Sequence, residues 1–214
     1  MNAIQTLAIS ALPVIFAITL HEAAHGYTAR HFGDPTAWQA GRISINPLRH
    51  VDLVGTIIVP AMILLLSAGG FLFGWAKPVP VNFGRLRHPK QDMLWVAAAG
   101  PGVNLLMALG WGLLLKIAVA MPVHGYSQAM AEMARVGINI TGVLMVLNLL
   151  PLPPLDGGRI AVSLLPHRQA AQFSQIEPYG MVILLALLFT GVLETILGPL
   201  LGLFMMLMKS FLSL

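Results

Sequence analysis

From Met1 to Leu20 the chain carries no charged residue, and the positions that follow read HEAAH. An apolar run of about 20 residues matches the hydrocarbon thickness of a bilayer when it is helical. Helix is the required form there, because in lipid every backbone N–H and C=O must find its partner inside the segment. Runs of the same kind recur at Leu53–Phe73, Met93–Leu115, Gly137–Leu150 and Tyr179–Met208. Over the 214 residues 57% are hydrophobic and 9% charged, against about 25% charged in a soluble domain. These features predict an all-α polytopic membrane protein with about four to six membrane helices. A single membrane-embedded domain is expected over residues 1–214, with a core at about 3–160 and C-terminal membrane segments at about 179–212. No Lys or Arg precedes Arg30, so the first segment lacks the basic start of a signal peptide and is expected to be retained.

Two stretches depart from simple spans. Gly74–Phe83, GWAKPVPVNF, contains Pro78 and Pro80, which remove backbone donors and impose an extended course. Extended backbone at membrane depth is tolerated only where protein or a wet cavity surrounds it, so this segment is expected to line a cavity. The run Tyr179–Met208, with Glu194 and Gly198–Pro199 in its middle, is too long for one upright span. It predicts either a short helical hairpin or a span followed by an interfacial helix.

The basic residues sharpen the topology. If Leu53–Phe73 crosses fully, five cations (Arg30, Arg42, Arg49, Lys116, Arg135) face six (Lys77, Arg85, Arg87, Lys90, Arg159, Arg168) across the bilayer, which decides nothing. If residues 53–84 instead dip in and return, nine share one side and only Lys116 and Arg135 lie opposite. That asymmetry obeys the positive-inside rule. It predicts a re-entrant unit and puts the HEAAH end of the first helix toward the cytoplasm, in a cell membrane expected to be bacterial. The same cations are scattered in short loops beside apolar segments, which fits lipid headgroups and topology and not nucleic acid.

There is no cysteine, so a metal would be held by His, Asp or Glu. His21 and His25 stand four apart, which puts both imidazoles on one helix face within reach of one ion. In the HExxH arrangement the histidines bind Zn2+ and the glutamate, here Glu22, acts as general base. A charged group at the centre of a membrane helix costs about 2.5–3.5 kcal/mol on insertion scales, so ionisable groups placed there are functional candidates. A catalytic zinc usually has a third protein ligand. Asp34 lies past the helix end, Asp52 and Asp92 sit where carboxylates cap helices, and Glu132 and Glu177 are poorly placed. Asp156 follows a membrane helix broken by Pro151, Pro153 and Pro154, on the same side as His25. Asp156 is therefore the expected third ligand.

With these residues the chain resembles the site-2 protease family of intramembrane zinc metalloproteases. HEAAH at His21–His25 and NLLPLPPLDG at Asn148–Gly157 match the fixed positions of the two signatures HExxH and N-x-x-P-x-P-x-L-D-G. GPGVN at Gly100–Asn104 matches a third pattern, G-x-x-x-N. The resemblance covers about Ile18 to Arg159 and is closest to the compact branch without a PDZ or CBS domain. It implies that His21, His25 and Asp156 hold one zinc ion, that Glu22 is the general base, and that Asn104 and Asn148 line the site and meet the substrate. An amide there would hydrogen-bond a substrate carbonyl or the developing oxyanion. The implied partners are transmembrane protein substrates and the lipid bilayer, with no nucleic acid. Residues 74–82 would offer an unwound substrate a strand to pair with, over only part of its edge because of the prolines.

Two other functions fit less well. A zinc transporter would need polar groups across the bilayer, whereas these cluster on one side, and Glu22 would be superfluous to it. A catalytically inactive adaptor would not need Glu22 and Asp156 together. His31, His50, His88, His124 and His167 read as ordinary loop residues, and Met205, Met206 and Met208 as packing or lipid-facing ones.

Overall fold

A computed structural model describes residues 3–66 and 74–213 of the chain. Its elements are helical, with no strand among the described residues. Helix α1 (Ala3–His31) runs one turn past the expected end at Tyr27. A short helix α2 (Thr36–Gln39) and a single turn at Pro47–Arg49 follow. A π-helical stretch, Leu53–Ile58, continues into α3 (Val59–Leu66). The rest of the expected Leu53–Phe73 run lies outside the described residues.

Residues 74–82 form no helix, as the prolines require, and Asn82 at their end is extended. Helix α4 (Pro89–Ala120) begins four residues before the expected Met93, because Pro89 occupies its first turn and Asp92 accepts from the His88 N–H at 2.7 Å. The polar residues of that turn masked the helix in a reading for apolar runs. For the same reason α5 (Gly125–Asn148) starts twelve residues before Gly137, closed by mutual bonds between His124 and Ser127. Three shorter helices follow: α6 (Asp156–Leu164), α7 (His167–Ser174), where a polar loop was expected, and α8 (Glu177–Phe189). The last helix, α9 (Val192–Leu212), is separated from α8 by a turn at Thr190–Gly191. The break in the C-terminal run thus falls there, and Gly198–Pro199 stays inside α9.

Among the described residues four helical segments are long and apolar enough to cross a membrane: Ile9–His31, Pro89–Ala120, Gly125–Asn148 and Val192–Leu212. Helices α7 and α8 form a pair bent by 60° that makes a fifth if taken together. The expected four to six includes both counts. Large apolar side chains point outward along these helices, as Leu106, Ile117, Met206 and Phe211 do, which is the surface a lipid environment requires. Met208 is buried and Met205 packs beside it.

The main core joins α4, α5 and α9 through Ala108, Leu115, Ala134, Ile138, Phe204, Met208 and Leu212. It is built from small residues facing large ones, Phe204 over Gly142 and Leu212 over Gly112. Close approach of this kind drives helix association where lipid offers no hydrophobic contrast. Helix α1 packs on α4 and α5 at one end of this bundle, and α6 closes against α4. Lys90 at the start of α4 donates to the carbonyl of Leu165 at the end of α6. These contacts fix where the polar residues of α1 can lie.

Candidate metal centre

Helix α1 turns His21 and His25 toward the bundle, with Glu22 adjacent to them in sequence. Both histidines are 7% exposed, although neither is apolar. Their rings lie edge to face, with centroids 4.7 Å apart and the two Nε2 atoms 3.1 Å apart. This is the consequence of i, i+4 spacing on a regular helix.

Asp156 comes to the same point by a different kind of backbone. Helix α5 ends at Asn148, residues 149–155 turn back through Pro151, Pro153 and Pro154, and Asp156 is the first residue of α6. The peptide bond between Pro153 and Pro154 is cis. Gly157 is seated against the carbonyl oxygens of Leu149 and Leu150, where a Cβ would collide with backbone. A glycine is therefore needed for the turn to fold this tightly.

Asp156 Oδ2 lies 3.2 Å from His21 Nε2 and 3.3 Å from His25 Nε2. Among the described residues, these three form the one group of His, Asp or Glu side chains close enough to share an ion. A tetrahedral zinc with ligand distances of about 2.0–2.1 Å separates its ligand atoms by about 3.3 Å, and all three edges of this triangle are near that value. Oδ2 is moreover buried with no hydrogen-bond partner. A buried acceptor without a donor, facing two imidazole nitrogens, is what a shared cation would satisfy. The residues present thus fit zinc.

Helix α4 supports the pair from behind with a row of residues four apart. His25 Nδ1 donates to the carbonyl of Val96 at 2.7 Å, which leaves Nε2 with its lone pair toward Asp156. One turn on, Gly100 leaves room for the rings: a Cβ there would be 2.5 Å from His21 Cε1 and 2.6 Å from both Nε2 atoms. One turn further, Asn104 lies 3.0 Å from His21 Nδ1 and has no exposure.

Glu22 faces the other way, into a cavity of about 110 Å3 that it shares with His21, His25, Asp156, Asn148 and Arg159 and that Pro78 and Val79 close. Its Oε2 accepts from the Val79 N–H at 2.7 Å. The segment 74–82 does line a cavity. Its donors, however, are turned inward: Trp75 N to Gly55 O and Lys77 N to His50 O, each at 2.9 Å, and Val79 N to Glu22. Arg42 donates to Lys77 O at 2.8 Å, and the buried Asp34 accepts from Asn82 N at 2.6 Å, tying the segment to the end of α1. A substrate strand along that edge would have to displace these bonds. His50 is also more than a loop residue, being 3% exposed with Nε2 2.8 Å from Ser44 O.

The structure therefore brings His21, Glu22, His25, Asp156 and Asn148 to one cavity. Asn148 Nδ2 donates to Leu144 O of its own helix at 2.9 Å, and its amide group retains a second N–H. Asn104 stands apart, behind His21 and outside the cavity lining. Arg159, Val96 and the bond from Val79 N–H to Glu22 were not expected. Arg159 follows Asp156 by one turn and was visible in principle, whereas Val79 and Val96 act through backbone groups that no residue type announces. A larger cleft of about 390 Å3, lined by Leu20, Ala23, Ala24 and Tyr27 among others, is apolar and lies beside the site, away from the triad.

A buried HExxH pair joined by an aspartate from a second helix, inside a bundle of membrane helices, defines a membrane zinc peptidase. The family model for peptidase family M50 matches residues 116–191. Over 198 residues the chain is 39% identical to YwhC of Bacillus subtilis (strain 168), which bears the name of a zinc metalloprotease, covering 89% of this chain and 84% of that protein. It is 32% identical over 187 residues to Rip2 of Mycolicibacterium smegmatis, named likewise, covering 84% of this chain and 66% of that protein. No solved structure matches it significantly. The chain belongs to peptidase family M50, the site-2 protease family, and is a zinc metalloendopeptidase whose cofactor is Zn2+.

Proposed function

We propose that this protein hydrolyses peptide bonds within or beside the transmembrane segments of membrane protein substrates, as an intramembrane protease of the regulated-proteolysis type. The observation that carries the reading is the triangle of His21 Nε2, His25 Nε2 and Asp156 Oδ2, with edges of 3.1–3.3 Å, buried at the end of an apolar helix with Glu22 beside it. In this reading the three residues hold the zinc. When bound, zinc supplies a Lewis acid that polarises a carbonyl and lowers the pKa of a water.

Glu22 takes the proton of the attacking water and delivers it to the leaving amine. The 2.7 Å bond from Val79 N orients one carboxylate oxygen and leaves the other for this exchange. The second amide hydrogen of Asn148 is available to the scissile carbonyl oxygen, where a donor is worth most as negative charge develops. His21, His25 and Asp156 are 7%, 7% and 6% exposed, so the chemistry proceeds in a small, water-poor cavity. A helical substrate must unwind to enter, because its carbonyls are already bonded and its backbone is wrapped in side chains. The charge asymmetry of nine cations against two supports a site facing the cytoplasm. The whole chain then acts as one membrane-embedded catalytic domain.

The test compares purified wild type with Glu22→Gln. Zinc content is measured in both, and each is incubated with a panel of single-span membrane proteins. Zinc is expected in both and cleavage only with wild type. Equal cleavage by the two, or cleavage of soluble proteins alone, would overturn the reading.

A further inference from the structure

The two histidines differ in what stands behind them. His25 Nδ1 faces the Val96 carbonyl at 2.7 Å, a group that can only accept, so its ring proton is fixed on Nδ1 and its Nε2 is always free to bind metal. His21 Nδ1 faces the Nδ2 of Asn104 at 3.0 Å. An amide carries a donor nitrogen and an acceptor oxygen on one carbon, so the Asn104 side chain can meet His21 Nδ1 with either group. The other end of the same amide, Asn104 Oδ1, is buried without a partner. A histidine that binds metal through Nε2 carries its proton on Nδ1, and an N–H facing an amide N–H is repulsive. A half-turn of the carboxamide removes the conflict, bringing Oδ1 onto Nδ1–H with hardly any change in the volume occupied.

We propose that Asn104 is the positioning residue of His21. Its carboxamide oxygen accepts from Nδ1–H and so keeps Nε2 free for zinc. Aspartate keeps that acceptor, and leucine has none. The fully buried position at α4, one turn beyond the Gly100 that admits the ring, leaves Asn104 no route to substrate. This assignment rests on His21 being a zinc ligand.

The test measures zinc affinity of the full-length protein in detergent by competition with a chelator, with no reference to proteolysis. Loss of such a partner typically weakens metal binding about 10–100-fold. Asn104→Leu is expected to fall in that range, while Asn104→Asp, which keeps the acceptor, binds zinc at least as tightly as wild type. Should the leucine variant not fold, Asn104→Ala takes its place. An apolar variant that binds zinc like wild type, or an aspartate variant that falls together with it, would overturn the proposal. His21→Ala separates the two levels: unchanged zinc affinity in that variant would remove His21 from the ligand set, and with it the reading on which this one rests.

Discussion

Helix α1 and the corner at residues 149–158 bring His21, His25 and Asp156 to the same point by opposite means. In α1 the register of His21 and His25 is set by 3.6 residues per turn, and nothing but helix formation is needed to bring them together. Asp156 is placed by a chain reversal in which prolines end α5 and Gly157 lets the turn close on the carbonyls of Leu149 and Leu150. One half of the site is local geometry, and the other is a fold of the backbone that tolerates few substitutions. The two halves should therefore fail differently.

The largest effect is expected from the corner's ligand. Asp156→Ala should abolish retention of zinc through dialysis and reduce cleavage below detection, because two histidines alone leave the site a ligand short. If zinc content and cleavage survive, the corner is not part of the centre. Glu22→Gln should keep zinc but lose turnover by about 10²–10⁴, a separation of binding from chemistry read by metal analysis alongside cleavage rates.

The two glycines sharpen the contrast. Gly157→Ala pushes a methyl into backbone carbonyls, which cannot rotate away, and should cost about 1–3 kcal/mol of stability, seen as a lower melting temperature even without zinc. Gly100→Ala pushes against the imidazoles of His21 and His25, which can turn, so zinc affinity should fall while the zinc-free melting temperature changes less. Equal loss of stability in the two would erase the distinction. Val79→Pro removes the donor to Glu22 and should lower turnover about 2–10-fold with zinc content unchanged. The smallest effect belongs to Met206→Ala, on the 67% exposed outer side of α9, where stability and cleavage should match wild type.

Most of the architecture was legible because membrane helices announce themselves by length and apolarity. The misses share one cause. The first turns of α4 and α5 and all of α7 contain polar residues, so they are helical without looking like membrane segments, and boundaries drawn from apolar runs fell short by 4 residues at Pro89 and by 12 at Gly125. In the C-terminal run Glu194 and Gly198–Pro199 marked the middle without fixing where the chain breaks. Pro199 is accommodated inside α9, and the chain turns at Gly191. At the site, Asn104 shows how far a motif carries. Its match to G-x-x-x-N pointed to the neighbourhood of the metal, and the resemblance implied that it lines the site, but which side of the histidine it touches depends on how α4 is rotated against α1.

The sequence by itself determined the membrane class, the absence of thiolate chemistry, and the candidates His21, Glu22, His25 and Asp156, because helix periodicity, proline stereochemistry and the cost of burying charge are local properties. Only the tertiary structure decided that the two Nε2 atoms and Oδ2 lie within 3.3 Å of one another, that Val79 N–H meets Glu22, and that Val96 and Asn104 stand behind the histidines. The last three pairs are 57 to 83 residues apart in the chain, and in two of the three the partner is a backbone group. Contacts of that kind arise from helix rotation and close approach, which no single segment encodes.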